Sequence, residues 1–174
     1  MPTLIRKLTE NDAESLWKLR LYALQTDPNS FGEAPDELRK TTVEEYGSRL
    51  RPGKTQNFVF GAFEGEALAA MTGFYRETAV KRRHKGWIWG VFVSPQARGK
   101  GLGRALVAKA IETAAALPGL RCLLLTVSTT QCAAIKLYED LGFRSFGTEP
   151  HALMIGDQFI DEHHMILEFA ESPE

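Results

Sequence analysis

Cysteine is nearly missing from this sequence: its 174 residues include only Cys122 and Cys132, with no C-x-x-C spacing. That excludes a disulfide framework and a dithiol motif, and both thiols are expected to be reduced. Long apolar runs are missing too. No stretch approaches the roughly 20 residues that a membrane-spanning helix needs, so no membrane partner is expected. Neither sign of charge prevails: 21 basic and 22 acidic side chains leave a net charge of −1, too weak a field to grip nucleic acid. Residues 1–8 carry Arg6 and Lys7 without an apolar stretch behind them, so no secretory leader is expected and the cytoplasm is the default compartment. Histidine is sparse, and the adjacent His163 and His164 point to opposite faces of a strand, where they cannot chelate one ion. No metal site is expected.

What is present is an ordinary globular composition, 44% hydrophobic and 25% charged, in a chain long enough to bury roughly 70% of its unfolded surface. One domain over residues 1–174 is expected. Its organising stretch is 87–117. The run WIWGVFV at 87–93 has no polar alternation, so both its faces must be covered, as in a central strand of a sheet between helices. Further on, Leu106, Val107, Ala110, Ile111, Ala114 and Leu117 recur at three- and four-residue spacing, with Arg104, Lys109 and Glu112 opposite. This is an amphipathic helix packing back on the sheet.

Between strand and helix, Arg98-Gly99-Lys100-Gly101-Leu102-Gly103 puts glycine at alternate positions where the helix begins. Backbone without Cβ atoms bends sharply and lets a ligand approach its N–H groups; the free N–H groups and dipole of a first helical turn attract anions. Arg98, Lys100 and Arg104 add charge, and a pyrophosphate suits several diverging donors better than a carboxylate does. Taken alone, the same residues also read as a glycine-rich turn with solvated basic side chains. The P-loop pattern is absent, and Arg104 stands where the dinucleotide fingerprint needs its third glycine.

Arg98-x-x-Gly101-x-Gly103 at a strand–helix junction resembles the [Q/R]-x-x-G-x-[G/A] signature of the GNAT superfamily of N-acetyltransferases. A second segment, QCAAIKLYEDLGF at 131–143, is similar to the family's N-x-x-A-x-x-L-Y-x-x-x-G-F, with Gln131 where Asn is usual. The resemblance spans about residues 3–170. It implies acetyl-CoA as cosubstrate, its pyrophosphate in the turn that includes Gly99 and Leu102, and its pantetheine arm along strand amides and carbonyls at Val91, Phe92 and Val93. Gln131 falls among the cofactor-binding positions, and Tyr138 faces the CoA sulfur as the acid that protonates the leaving thiolate.

In chain order, 3–8 reads as an edge strand, and Thr9 to Asp12 as a capping sequence for a helix whose buried face is Leu16, Leu19, Tyr22 and Ala23. A loop at 26–36 and a short helix at 42–50 follow. The resemblance implies that these helices shape the acceptor side, which makes Glu33 a candidate to hold or deprotonate an amine; as a loop carboxylate it reads equally as solvated. Strands at 57–63 and 66–76 are joined by Glu64-Gly65, a hairpin signal, and antiparallel order should continue into 87–93. The basic run 81–85 could meet a ribose phosphate or be a solvated tip. The apolar strand 123–127 should lie parallel to 87–93 through a right-handed crossover, and parallel neighbours whose ends diverge leave a cleft. Gly90 fits a bulge or a close approach there, or simply makes room for a helix side chain. On the last helix Ala134, Leu137, Tyr138 and Leu141 share a face that Gly142-Phe143 ends; without the motif, Tyr138 reads as packing, its hydroxyl on a backbone carbonyl. Segments 143–149 and 162–169 form a final hairpin around Gly156-Asp157.

The expected architecture is therefore a mixed α/β (α+β) domain, a largely antiparallel sheet of about seven strands with helices on both faces. The expected reaction is direct attack on acetyl-CoA by a primary amine of a small molecule or peptide, since no nucleophile–base pair supports a covalent intermediate. Many relatives carry a glutamate on the strand that here reads 87–93; this chain has none, which leaves the base unassigned. The alternative is a catalytically silent acyl-CoA-binding or regulatory module. A homodimer stays open.

Overall fold

A computed structural model describes residues 3–53 and 56–170; the outermost ends of the expected domain lie outside them. Its strands are β1 (Thr3–Lys7), β2 (Phe58–Glu64), β3 (Ala67–Arg76), β4 (Lys85–Val93), β5 (Cys122–Ser128), β6 (Arg144–Ile155) and β7 (Gln158–Glu168). They form one seven-stranded sheet in the order β1-β2-β3-β4-β5-β7-β6, antiparallel at every pairing except β4–β5. That exception follows from the connection. A helix, α4 (Leu102–Ala115), carries the chain from the end of β4 back across the sheet, which returns β5 in the same direction.

Because the central strands are apolar on both sides, each face of the sheet needs a cover. One face is packed by α4 and α5 (Cys132–Asp140), with Leu106, Val107, Ala110 and Tyr138 meeting Phe60, Phe74, Leu123 and Met165. The other is packed by α1 (Ala13–Thr26) and the short helices α2 (Pro35–Leu38) and α3 (Val43–Ser48), where Leu16, Leu24, Leu38 and Tyr46 meet Val59, Met71 and Phe92. Each fully buried large aliphatic side chain contributes about 1.5–3 kcal/mol. Among the described residues no helix is long and apolar enough to cross a membrane.

Some boundaries differ from expectation for identifiable reasons. The β2–β3 turn falls at Gly65-Glu66, one residue later than the sequence signal, because Gly65 takes a positive φ of 62°. In α1, Tyr22 lies at the rim, 38% exposed and edge-on to Phe92, while Arg20 takes the inward position and is 8% exposed. The final hairpin is longer than expected: β6 is an outer strand, mostly exposed, so no burial alternation marks its length. Its neighbour β7 carries His163 and His164 on opposite faces, bonded to Thr148 and Glu149 respectively.

Candidate active site

The site begins where β4 and β5 part. Their parallel pairing is confined to Lys85–Cys122, Gly86–Leu123 and Trp87–Leu124. Just beyond, the β3–β4 register slips between Met71 and Gly73, so that Gly90 and Val91 together face Thr72 as a bulge, with Gly90 at φ 62°. A bulge re-aims the strand, and only glycine takes that φ without strain. Beside it a slot of about 80 Å³ opens, walled by Trp89, Gly90 and Val91 of β4 and Leu125 to Ser128 of β5, with Gln131, just before α5, and Tyr138 of α5 at one side and Ser30 and Phe31 at the other.

Tyr138 is 7% exposed and packs edge-on against Phe143 at 6.0 Å, held by the glycine-ended C-terminus of α5, where the Phe143 N–H donates to the Tyr138 carbonyl at 3.0 Å. Among the described residues its hydroxyl has no hydrogen-bond partner; burial alone drives its pKa well above the ordinary phenol value. No backbone carbonyl among the described residues accepts from that hydroxyl, while the ring itself packs in the core as the alternative reading expects.

Past the slot, β4 runs on through Phe92, which packs under α1, and Val93 to the glycine turn. Gly99 and Gly101 have φ of 77° and 75°, and no heavy atom stands within 4 Å of where a Cβ would be. The first helical bond of α4 runs from the Ala105 N–H to the Gly101 carbonyl at 3.0 Å; among the described residues the N–H groups of Gly99, Lys100, Gly101, Leu102, Gly103 and Arg104 have no backbone acceptor. Open space lined by free N–H donors at a helix start fits a pyrophosphate. The basic side chains are less available than the sequence suggested. Arg98 donates through Nε to the Val93 carbonyl at 3.0 Å and through Nη2 to Asp27 at 2.6 Å, Lys100 pairs with Glu64 at 2.5 Å, and Arg104 lies 3.9 Å from Asp140. The backbone is the main donor set.

Glu33 is not on the slot. It sits in the loop between a 3-10 turn (Pro28–Ser30) and α2, and its Oε2 accepts from Arg20 Nε at 3.2 Å and lies 3.2 Å from Arg20 Nη2. Glu33 lines a groove of about 380 Å³ between this loop and the β6–β7 hairpin, with Phe31 common to groove and slot. A wider cavity of about 480 Å³, bordered by Tyr46 and Tyr75, touches the slot wall only at Trp89 and contains neither the glycine turn nor Tyr138. The slot is the better site on chemistry. Sequence reasoning did not find Phe31 or Trp89 as slot residues, nor Arg20 packed behind them. Arg20 had a signal: it stands four residues after Leu16 and four before Leu24, in the middle of the buried stripe.

The sheet thus opens where the parallel strands β4 and β5 part beside the β4 bulge, with a glycine turn of free N–H donors beyond one end of the opening and the Tyr138 phenol along it. The chain belongs to the acetyltransferase (GNAT) family, whose model matches residues 18–143. It is 28% identical over 145 residues to the mycothiol acetyltransferase of Streptomyces scabiei (strain 87.22), covering 83% of this chain and 44% of that protein; the chain thus spans less than half the length of this curated relative. Among solved structures it is similar to an acetyltransferase of the GNAT family from Streptococcus pneumoniae, with a TM-score of 0.85 and 27% identity over 97% of this chain and 100% of the other. It also shares its fold with yncA from Salmonella typhimurium, solved with its cofactor acetyl-CoA, with a TM-score of 0.80 and 21% identity over 100% of this chain and 98% of that one.

Proposed function

We propose that residues 1–174 act as one N-acetyltransferase domain that passes acetyl from acetyl-CoA directly to a primary amine of a small molecule or peptide. The free N–H groups of the turn, Gly99 to Arg104, take the pyrophosphate, with Arg98 bracing the turn rather than supplying a free charge. Val91, Phe92 and Val93 take the pantetheine arm as an added strand would be taken, and Gln131 borders its sulfur end. Strand N–H groups near Phe92 polarise the thioester carbonyl; the amine attacks, the C–S bond breaks, and the Tyr138 hydroxyl gives its proton to the departing thiolate, while the proton lost by the amine nitrogen leaves through Glu33, another base or water and an equivalent proton returns to Tyr138. Glu33 attends the amine. The observation that carries this reading is Tyr138, a largely buried side chain that lines the slot and whose hydroxyl no described residue bonds. The two free cysteines, Cys122 buried and Cys132 exposed, support a cytoplasmic setting. A homodimer is the assembly to test, since the outer strand β6 leaves Phe146 and Met154 exposed.

The test is thiolate release from acetyl-CoA with a broad panel of amines, peptide N-termini and lysines, run beside a thermal shift with CoA. At a hundred times its dissociation constant CoA should stabilise the fold by about 2.7 kcal/mol, or roughly 5–10 °C at this length, and NAD much less. A CoA shift without release from any amine assigns the silent binding module. A larger shift with NAD than with CoA overturns the cofactor.

A further inference from the structure

Two side-chain polar atoms among the described residues are buried without a hydrogen-bond partner, Arg20 Nη1 and Thr72 Oγ1, and both lie at the β4 bulge. Thr72 is the β3 residue that the bulge passes over. Arg20 comes from α1, and its Nη1 lies 3.6 Å from where a Cβ on Gly90 would stand. A buried guanidinium is tolerated when its donors are met, and leaving one unmet costs stability that a bound partner can restore. Glu33 meets Nε and Nη2, both through its Oε2, and Phe31 stacks over the guanidinium at 4.7 Å with Trp89 at 5.9 Å. Nη1 is the remainder. Phe31, Trp89 and Gly90, which enclose Arg20, also wall the slot beside Tyr138, so the unmet donor stands one side chain behind the place of acyl transfer.

The ion pair is unspent on both members. Only one oxygen of Glu33 is engaged by Arg20, and the residue faces the groove that Phe31 shares with the slot. Arg20 Nη1 is closed off from both slot and groove, so it is with Phe31 displaced that a ligand meets one guanidinium nitrogen that needs an acceptor beside one carboxylate oxygen that can take a donor. Building on the acetyl-transfer reading, we infer that the acceptor is an amine bearing a carboxylate close by, of the α-amino-acid type, with the amine toward Glu33 and the carboxylate on Arg20 Nη1. One unmet nitrogen in so small a space suits a monoanion rather than a phosphate. Phe31, on the irregular loop before α2, is the side chain that yields as the carboxylate enters. Peptide N-termini and plain alkylamines lack the second group and leave Nη1 unmet.

The test compares matched sets in the thiolate-release assay: the proteinogenic α-amino acids, their α-amides, and the corresponding decarboxylated amines. A charge-assisted bond gained in the complex predicts kcat/KM about 10- to 100-fold higher for preferred amino acids than for their amides, carried mainly by KM. Arg20→Lys should shrink that preference, since an ammonium lacks the planar fork, and Arg20→Gln should erase it. Calorimetry of the wild-type protein with amino acid and amide, in the presence of CoA, reads the same preference without relying on how well the variants fold. Amides or decarboxylated amines acetylated as fast as the amino acids overturn the carboxylate subsite while acetyl transfer stands. No release from any amine and no binding of any amino acid, despite a CoA thermal shift, overturn both.

Discussion

Replacing Tyr138 by Phe isolates one hydroxyl. The ring keeps its contact with Phe143 and its place in the core, and the group removed is one that no described residue bonds, so the fold should lose less than about 1 kcal/mol. Catalysis should lose more. An ordinary phenol at pKa ~10 is already about 1.5 units above a thiol at ~8.5, so full proton transfer to the leaving thiolate is uphill by about 2 kcal/mol. Burial of Tyr138 raises its pKa further, which keeps it protonated across the assay range but makes it a weaker acid. The loss should therefore fall near the low end of general-acid effects, about 100-fold, and appear in kcat. It should shrink as pH rises past the thiol pKa, where an unprotonated leaving group is no handicap. The measurement is kcat for both proteins from pH 6 to 9.5 with the amine saturating. An equal kcat at pH 7 returns Tyr138 to the core, and a loss independent of pH makes it packing.

The turn discriminates between its glycines. Gly101→Ala should cost roughly 1–2 kcal/mol because its φ is 75°, whereas Gly103→Ala should be nearly neutral, its Cβ meeting Val93 and Leu137 at ordinary contact distances of 3.5 and 3.6 Å. Gly101→Glu and Gly103→Glu should both abolish CoA binding, and Arg98→Ala should weaken it less; normal CoA affinity in a folded Gly101→Glu protein, by calorimetry, removes the turn as the phosphate site. At the other end of the sheet, Asp12 accepts from Arg6 at 2.7 and 2.8 Å and from the Thr9 N–H at 2.8 Å, and the Arg6 bond holds its pKa down from 3.8 to about 2. A folded pKa below the unfolded one means the contribution is whole above pH ~4 and is lost as pH falls toward 2, about 1–2 kcal/mol once the solvent-exposed side of Arg6 is discounted. The urea midpoint difference between wild type and Asp12→Asn should be flat from pH 8 to 5 and narrow below 4; a difference that persists unchanged to pH 3 rules out this linkage.

What could be read from sequence is what local physics dictates. The strand, glycine turn and helix of 87–117 were legible because an apolar run, a glycine spacing and a 3.6-residue stripe each state their own conformation, and the bulge at Gly90 was foreshadowed by a glycine inside a strand. The ion pairs that occupy the turn were not legible, since Arg98 meets Asp27 across 71 residues and Lys100 meets Glu64 across 36, separations at which sequence carries no register. The misreading in α1 is more instructive. A hydrophobicity pattern assigns the inward face to Tyr22 and passes over Arg20, yet the helical period places position 20 between Leu16 and Leu24, and the charge follows the period inward because Glu33 waits there on the loop that follows. A charged residue in the middle of an apolar stripe is where local preference and tertiary fold disagree, and such disagreements gather at functional sites. Here it stands behind the bulge that opens the sheet, with one donor still unmet.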